Sequence, residues 1–134
     1  MTGVRIVTIP RKITKENEKY ALDGYSYVGM ELALRKYTDP RLSDQCCWVY
    51  EQRTSYKGYE ELPDPLSIVG RVVTYDEKSF TVEIFRPEFY EALSYPLISI
   101  SSICERDEEN KTMNVKEVTG IYVGQPNGGF KNGK

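Results

Sequence analysis

Residues 66–103, LSIVGRVVTYDEKSFTVEIFRPEFYEALSYPLISISSI, carry the most decisive alternation of apolar and polar positions in the chain. Ile68–Tyr75 and residues 80–85 are rich in β-branched side chains, and Asp76-Glu77-Lys78-Ser79 between them are polar turn formers. Two such runs around a polar turn predict a β-hairpin. The second run alternates cleanly, with Phe80, Val82 and Ile84 on one face and Thr81, Glu83 and Phe85 on the other. A loop of odd length puts Ile68, Gly70 and Val72 on the Phe80 face and sets Arg71 opposite Glu83. An even loop puts Val69, Val73 and Tyr75 there and turns Arg71 onto the apolar side. The odd loop is favoured, because it pairs two charges instead of burying one. Gly70 inside a strand marks a bend or a close backbone approach.

Arg86-Pro87 ends this strand, and Pro87 with Glu88 opens a short helix over 87–94 with Phe89 and Leu93 on one face. That helix is expected to lie over a barrel mouth. The segment from Leu97 to Ile103 alternates again until its phase changes, which predicts a bulge near Ser101-Ser102.

Elsewhere the pattern is weaker. Residues 4–9 (VRIVTI) form a strand, apolar on both faces and therefore expected at the centre of a sheet. Thr14 caps a short helix reaching Gly24. Residues 25–37 fit two periods: Val28, Met30, Leu32 and Leu34 alternate, while Met30, Ala33, Leu34 and Tyr37 share a helical face. The strong helix formers tip the balance to helix. Residues 46–53 (CCWVYEQR) read as a strand, with Cys47, Val49 and Glu51 against Cys46, Trp48 and Tyr50. Residues 54–65 are a loop by composition, ERDEENKT is a second polar turn, and 113–123 is the last strand with a bulge at Gly120. The expected fold is mainly β, α+β at the margin: a small bent antiparallel barrel or sandwich of about six strands with one or two short helices. It forms a single domain over 1–124, followed by a flexible Gly/Asn-rich tail, 125–134.

Gly70, Val72 and Asp76 (G-x-V-x-x-x-D) resemble the start of the Sm-type small-barrel motif. The likeness covers about seven residues. Position 80 is Phe where the motif has Asn, and no second motif follows Ile103. The resemblance implies an SH3-like or Sm-like barrel pattern, and no RNA-binding residues are carried over from it.

Composition narrows the chemistry. The 134 residues carry a net charge of −2, so there is no field to steer nucleic acid or an anionic membrane. There is no histidine, which removes the usual general base near neutral pH and the commonest transition-metal ligand. Cys46, Cys47 and Cys104 lack zinc-site spacing, and an odd count with two adjacent does not build a disulfide framework. They place the protein in a reducing, cytoplasmic compartment. No apolar run reaches membrane-span length, and the first ten residues alternate unlike a signal peptide. Glu88 with Glu91 and Asp76 with Glu77 are paired carboxylates, but they read as helix-start and turn residues. No glycine loop has cofactor-binding spacing, so no cofactor is implied.

Eleven tyrosines stand against four Phe and one Trp. Tyrosine suits both sheets and interfaces. Arg53, Tyr56, Lys57 and Tyr59 form the leading binding candidate, since two rings and a cation in one loop suit stacking or gripping a partner. Tyr25, Tyr27, Arg35 and Tyr37 add to it. The expected function is a non-enzymatic protein-interaction or assembly module, homo-oligomeric or part of a viral particle or inhibitor complex. The alternatives are a small barrel binding a nucleotide or single-stranded nucleic acid through that loop, and an enzyme of unrecognised class.

Overall fold

The computed structural model describes residues 5–12, 25–39, 41, 47–52 and 68–124. The chain is mainly β, with seven strands and two short helices among these residues: β1 (Arg5–Pro10), β2 (Ser26–Val28), α1 (Met30–Tyr37), β3 (Trp48–Glu51), β4 (Ile68–Tyr75), β5 (Ser79–Ile84), α2 (Pro87–Glu91), β6 (Leu97–Asp107) and β7 (Thr112–Gly124). One sheet runs in the order β1-β5-β4-β3-β7-β2, with β6 on the other side of β7. It is mixed and not purely antiparallel: β2 and β3 both pair parallel to β7. The path is open. Among the described residues one parallel bridge, between Arg11 and Ile98, joins the chain just past β1 to β6, and the Lys12 N–H donates to the Ile98 carbonyl at 2.8 Å.

The hairpin is β4–β5. Arg71 stands opposite Glu83, Val72 opposite Val82 and Gly70 opposite Ile84. A register shift between Val72 and Thr74 leaves Val73 as an extra residue, after which Tyr75 faces Phe80. The odd phase therefore holds for Gly70 and Val72 and the even phase for Tyr75, while Val69, the extra residue at a second shift against β3, is buried as well. The Tyr75 and Phe80 rings stack at 5.0 Å. The turn is closed by Asp76, whose Oδ1 accepts from the N–H groups of Lys78 and Ser79 at 2.8 and 2.9 Å. At Gly70 a Cβ would meet the Glu83 carbonyl oxygen at 2.5 Å, so two backbones approach there as closely as glycine allows.

Met30, Ala33, Leu34 and Tyr37 are the buried face of α1, spaced i, i+3, i+4, i+7. Gly29, with φ 90°, makes the left-handed turn from β2 into this helix. Pro87 opens α2, and Phe89 and Leu93 tuck into the core. That core joins Ile9, Leu34, Val49, Phe80, Val82, Ile84, Ile98, Ile121 and Val123 in one cluster.

Three expectations are corrected. β1 lies at one end of the sheet path, not its centre, and only Ile9 of its apolar side chains is buried. Residues 105–107 belong to β6 and not to a polar turn, because pairing with 112–114 outweighs their local polarity. The turn is confined to 108–111, where Asp107 accepts from the Asn110 N–H and Lys111 takes φ 57°. Val49 and Tyr50 are both buried, since β3 hands over from β4 to β7 across a register shift. The expected shift near Ser101 and Ser102 does occur, with Thr119, beside Gly120, as the extra residue, and a second shift, not expected from the sequence, lies between Ile103 and Cys104. The helix over 14–24, the loop 54–65, Cys46 and the tail lie outside the described residues.

Candidate interaction surface

The alternation that builds the core also builds an outer face. Ile6 stands opposite Glu83, Glu83 opposite Arg71, and Arg71 opposite Trp48, so one row crosses β1, β5, β4 and β3. Four strands span about 14 Å. Thr8 and Thr81 form the next row, with Thr74 beyond them. Phe85, two residues past Glu83, sets its ring edge-on to Trp48 at 6.3 Å. Ile6 is 65% exposed and Val73, thrown outward at the bulge, is 52% exposed. The two charges in the row meet each other: Arg71 Nη2 lies 3.3 Å from Glu83 Oε1. The face is thus apolar, aromatic and threonine-rich, with its charge neutralised.

A second cluster surrounds Arg11, whose side chain is fully buried. Its Nη2 donates to Glu31 Oε2 at 2.8 Å, and its Nη1 to Glu31 and to the Asp76 carbonyl oxygen at 2.8 Å. The guanidinium lies 5.6 Å from the Phe80 ring centre. This cation ties β1, α1 and the β4–β5 turn together. Beside it opens a depression of about 380 Å³ lined by Glu31, Asp76, Glu77 and Lys78. The Asp76 carboxyl is held below its ordinary range by the backbone N–H groups of Lys78 and Ser79. Glu91 pairs with Arg5. These carboxylates serve folding contacts.

Of the residues singled out in the sequence, Arg53, Tyr56, Lys57 and Tyr59 lie outside the described residues. Tyr25 is 5% exposed. Its hydroxyl donates to Glu108, and Arg106 Cζ and Lys111 Nζ stand 4.9 and 5.3 Å from its ring centre. The Tyr25 hydroxyl, in turn, lowers the Glu108 carboxyl. Tyr27 faces Met113 on β7, and burial, then nearby Cys104, raises its phenol. Tyr27 lies in β2 and Tyr25 just before it, beside the Thr112–Asn114 end of β7 and away from Tyr122 and Val123, where β3 pairs. Arg35 is exposed on α1 and Tyr37 is buried. The strongest surface is therefore one that the tyrosine count did not indicate. Its signal was the second face of the alternation, Thr81, Glu83 and Phe85, joined to Ile6 and Trp48 only by strand pairing.

Cys47 and Cys104 are free thiols, and among the described residues no group of three His, Cys, Asp or Glu side chains could hold a metal. No helix among them is long and apolar enough to cross a membrane. No protein-family model, curated protein or solved structure matches the chain.

Proposed function

We propose that the protein is a non-enzymatic interaction or assembly module whose outer face, from Ile6 across to Trp48, receives a protein partner. The observation that carries this is the grouping of exposed Ile6, Val73 and Phe85 with Trp48 around a self-neutralised Arg71–Glu83 pair. Contiguous apolar surface on a soluble domain marks interaction sites, and Trp and Arg are the residue types that anchor them. A partner laid here desolvates no unpaired charge in that row. The sheet acts as an incompletely closed, SH3-like small barrel, with the Arg11–Ile98 bridge as its seam. Homo-oligomeric packing, as in a viral particle, or capture of a target, as by an inhibitor, both use such a face. The free thiols of Cys47 and Cys104 support a reducing, cytoplasmic setting.

The test is size-exclusion of an extract from the source cells, following the endogenous-level chain and an Ile6→Glu/Val73→Glu variant. Both positions are exposed, so circular dichroism and melting temperature should be unchanged in the variant. We expect the native chain in an assembly well above its 15.4 kDa mass, and the variant released from it. A native chain running as a free monomer, or a variant retained in the same assembly, ends the proposal.

A further inference from the structure

We infer that the outer face receives one amphipathic α-helix of a partner protein, through an uncharged apolar stripe of three to four turns. This rests on the outer-face reading above and names its occupant. The face is open: Ile6 is 65% exposed, Val73 52% and Phe85 37%, and Thr8, Arg71 and Thr74 are exposed as well. Both described helices serve the other side of the sheet, since Met30, Leu34, Phe89 and Leu93 all enter the core cluster.

The backbone of this face offers a partner nothing. β5 has β1 and β4 on its two sides, β4 has β5 and β3, and the Phe85 N–H extends the ladder by donating to the Val69 carbonyl at 2.8 Å. An occupant therefore meets side chains only and must satisfy its own peptide groups. An extended segment lying here leaves its N–H and C=O groups without partners, whereas a helix bonds its own. A second sheet also bonds its own, but sheets pack by interdigitating regular rows, and Val73 at the bulge stands between two of them.

Size and charge agree with this choice. From Ser79 to Phe85 the face runs about 20 Å along β5, and it is about 14 Å across. That footprint, roughly 300 Å², falls short of the roughly 800 Å² that each copy of a stable dimer buries. A helix of about 13 residues, 10–12 Å thick, covers it. Arg71 and Glu83 neutralise each other in the middle of the face, so a charge on the helix there would be buried without a partner. The short side chains of Thr8, Thr81 and Thr74 let the helix axis come close, with Ile6, Val73 and Phe85 as apolar contacts around them.

The test places photoreactive p-benzoylphenylalanine at Thr81, at Ile6 or, as an exposed control on α1, at Leu32 of the full chain in source-cell extract. Thr81 and Ile6 should label one partner segment at positions three, four and seven apart, the repeat of a helical face, and Leu32 should label none of it. Thr81→Lys, which sets an unpaired ammonium under the helix, should cut the Ile6 labelling about tenfold or more. Labelled positions two apart mean a strand, labels in a second copy mean self-association, and labels within the same chain mean that it covers its own face. Each of these overturns the inference, as does undiminished labelling in Thr81→Lys or no labelling from Thr81 and Ile6. If labels fall two apart or in a second copy while Ile6→Glu/Val73→Glu still releases the chain from its assembly, the helix is removed and the outer-face reading stands. Retention of that variant removes both.

Discussion

At the scale of single residues, Arg11 does the most unusual job. Its guanidinium is buried with Glu31 as its carboxylate partner, while Glu31 keeps 29% of its side chain in solvent. Breaking a buried pair costs most when the charge left behind cannot reach water. Glu31→Ala strands the buried cation, whereas Arg11→Met leaves a carboxylate that can rehydrate beside an apolar stem of similar size. Glu31→Ala is therefore expected to cost about 3 kcal/mol and Arg11→Met clearly less. Urea melts of the two variants check this, and the reverse order would sink the account. The acids of the turns behave differently. Asp76 and Asp107 are depressed below their ordinary 3.8, each first by backbone N–H bonds, and Glu108 below 4.5 by Tyr25. A depressed carboxyl contributes stability above its unfolded value, and loses it as pH falls through the folded one. With no histidine in the chain, the denaturation midpoint should be nearly flat from pH 8 to 5 and fall only below about 4. Asp76→Asn with Asp107→Asn should flatten the acid limb. A stability step between pH 6 and 7 would contradict this.

At the scale of elements, the β4–β5 hairpin was the most legible part of the chain. Alternation in 80–84, a polar turn and the Arg71–Glu83 charge match name its partners from the sequence alone. Gly70 was legible as a close approach, and its neighbour is the Glu83 backbone, which cannot step aside. Gly70→Ala should cost about 1–3 kcal/mol in denaturant melts, and a neutral result would mean the strands are not so close. Val73 was not legible. A bulge adds one residue to one strand only, and nothing in IVGRVVTY marks which residue is extra. β1 misled for a related reason. VRIVTI reads as apolar on both faces, yet β5 covers only one of its edges and its outer face stays open. An apolar strand at the end of a sheet looks like a central strand until the partner count is known.

At the scale of the whole molecule, β7 is the spine. It carries β6 along one side, and β2 followed by β3 along the other. Val118, Ile121 and Val123 enter the same cluster as Phe80 and Leu34. Backbone opening should follow that organisation. Hydrogen exchange is expected to be slowest in β4, β5 and the second half of β7, and fastest in β2 and α2, which are three and five residues long. Slow exchange in β2 matching that of β5 would show that the parallel β2–β7 contact is central to stability. Phe80→Ala, which empties the middle of the cluster and exposes Arg11 to water, should cost about 3–5 kcal/mol by thermal melts.

The amino-acid order alone determined the local events: where strands alternate, where turns and prolines interrupt them, and that Met30, Ala33, Leu34 and Tyr37 share a helical face. These follow from side-chain periodicity within a few residues, which the chain carries in itself. The tertiary structure alone decided the parallel docking of β2 and β3 on β7, the burial of Arg11, and the outer face joining Ile6 to Trp48. Each brings together residues tens of positions apart, and hydrophobic burial, being non-directional, does not say which distant strand lies beside which.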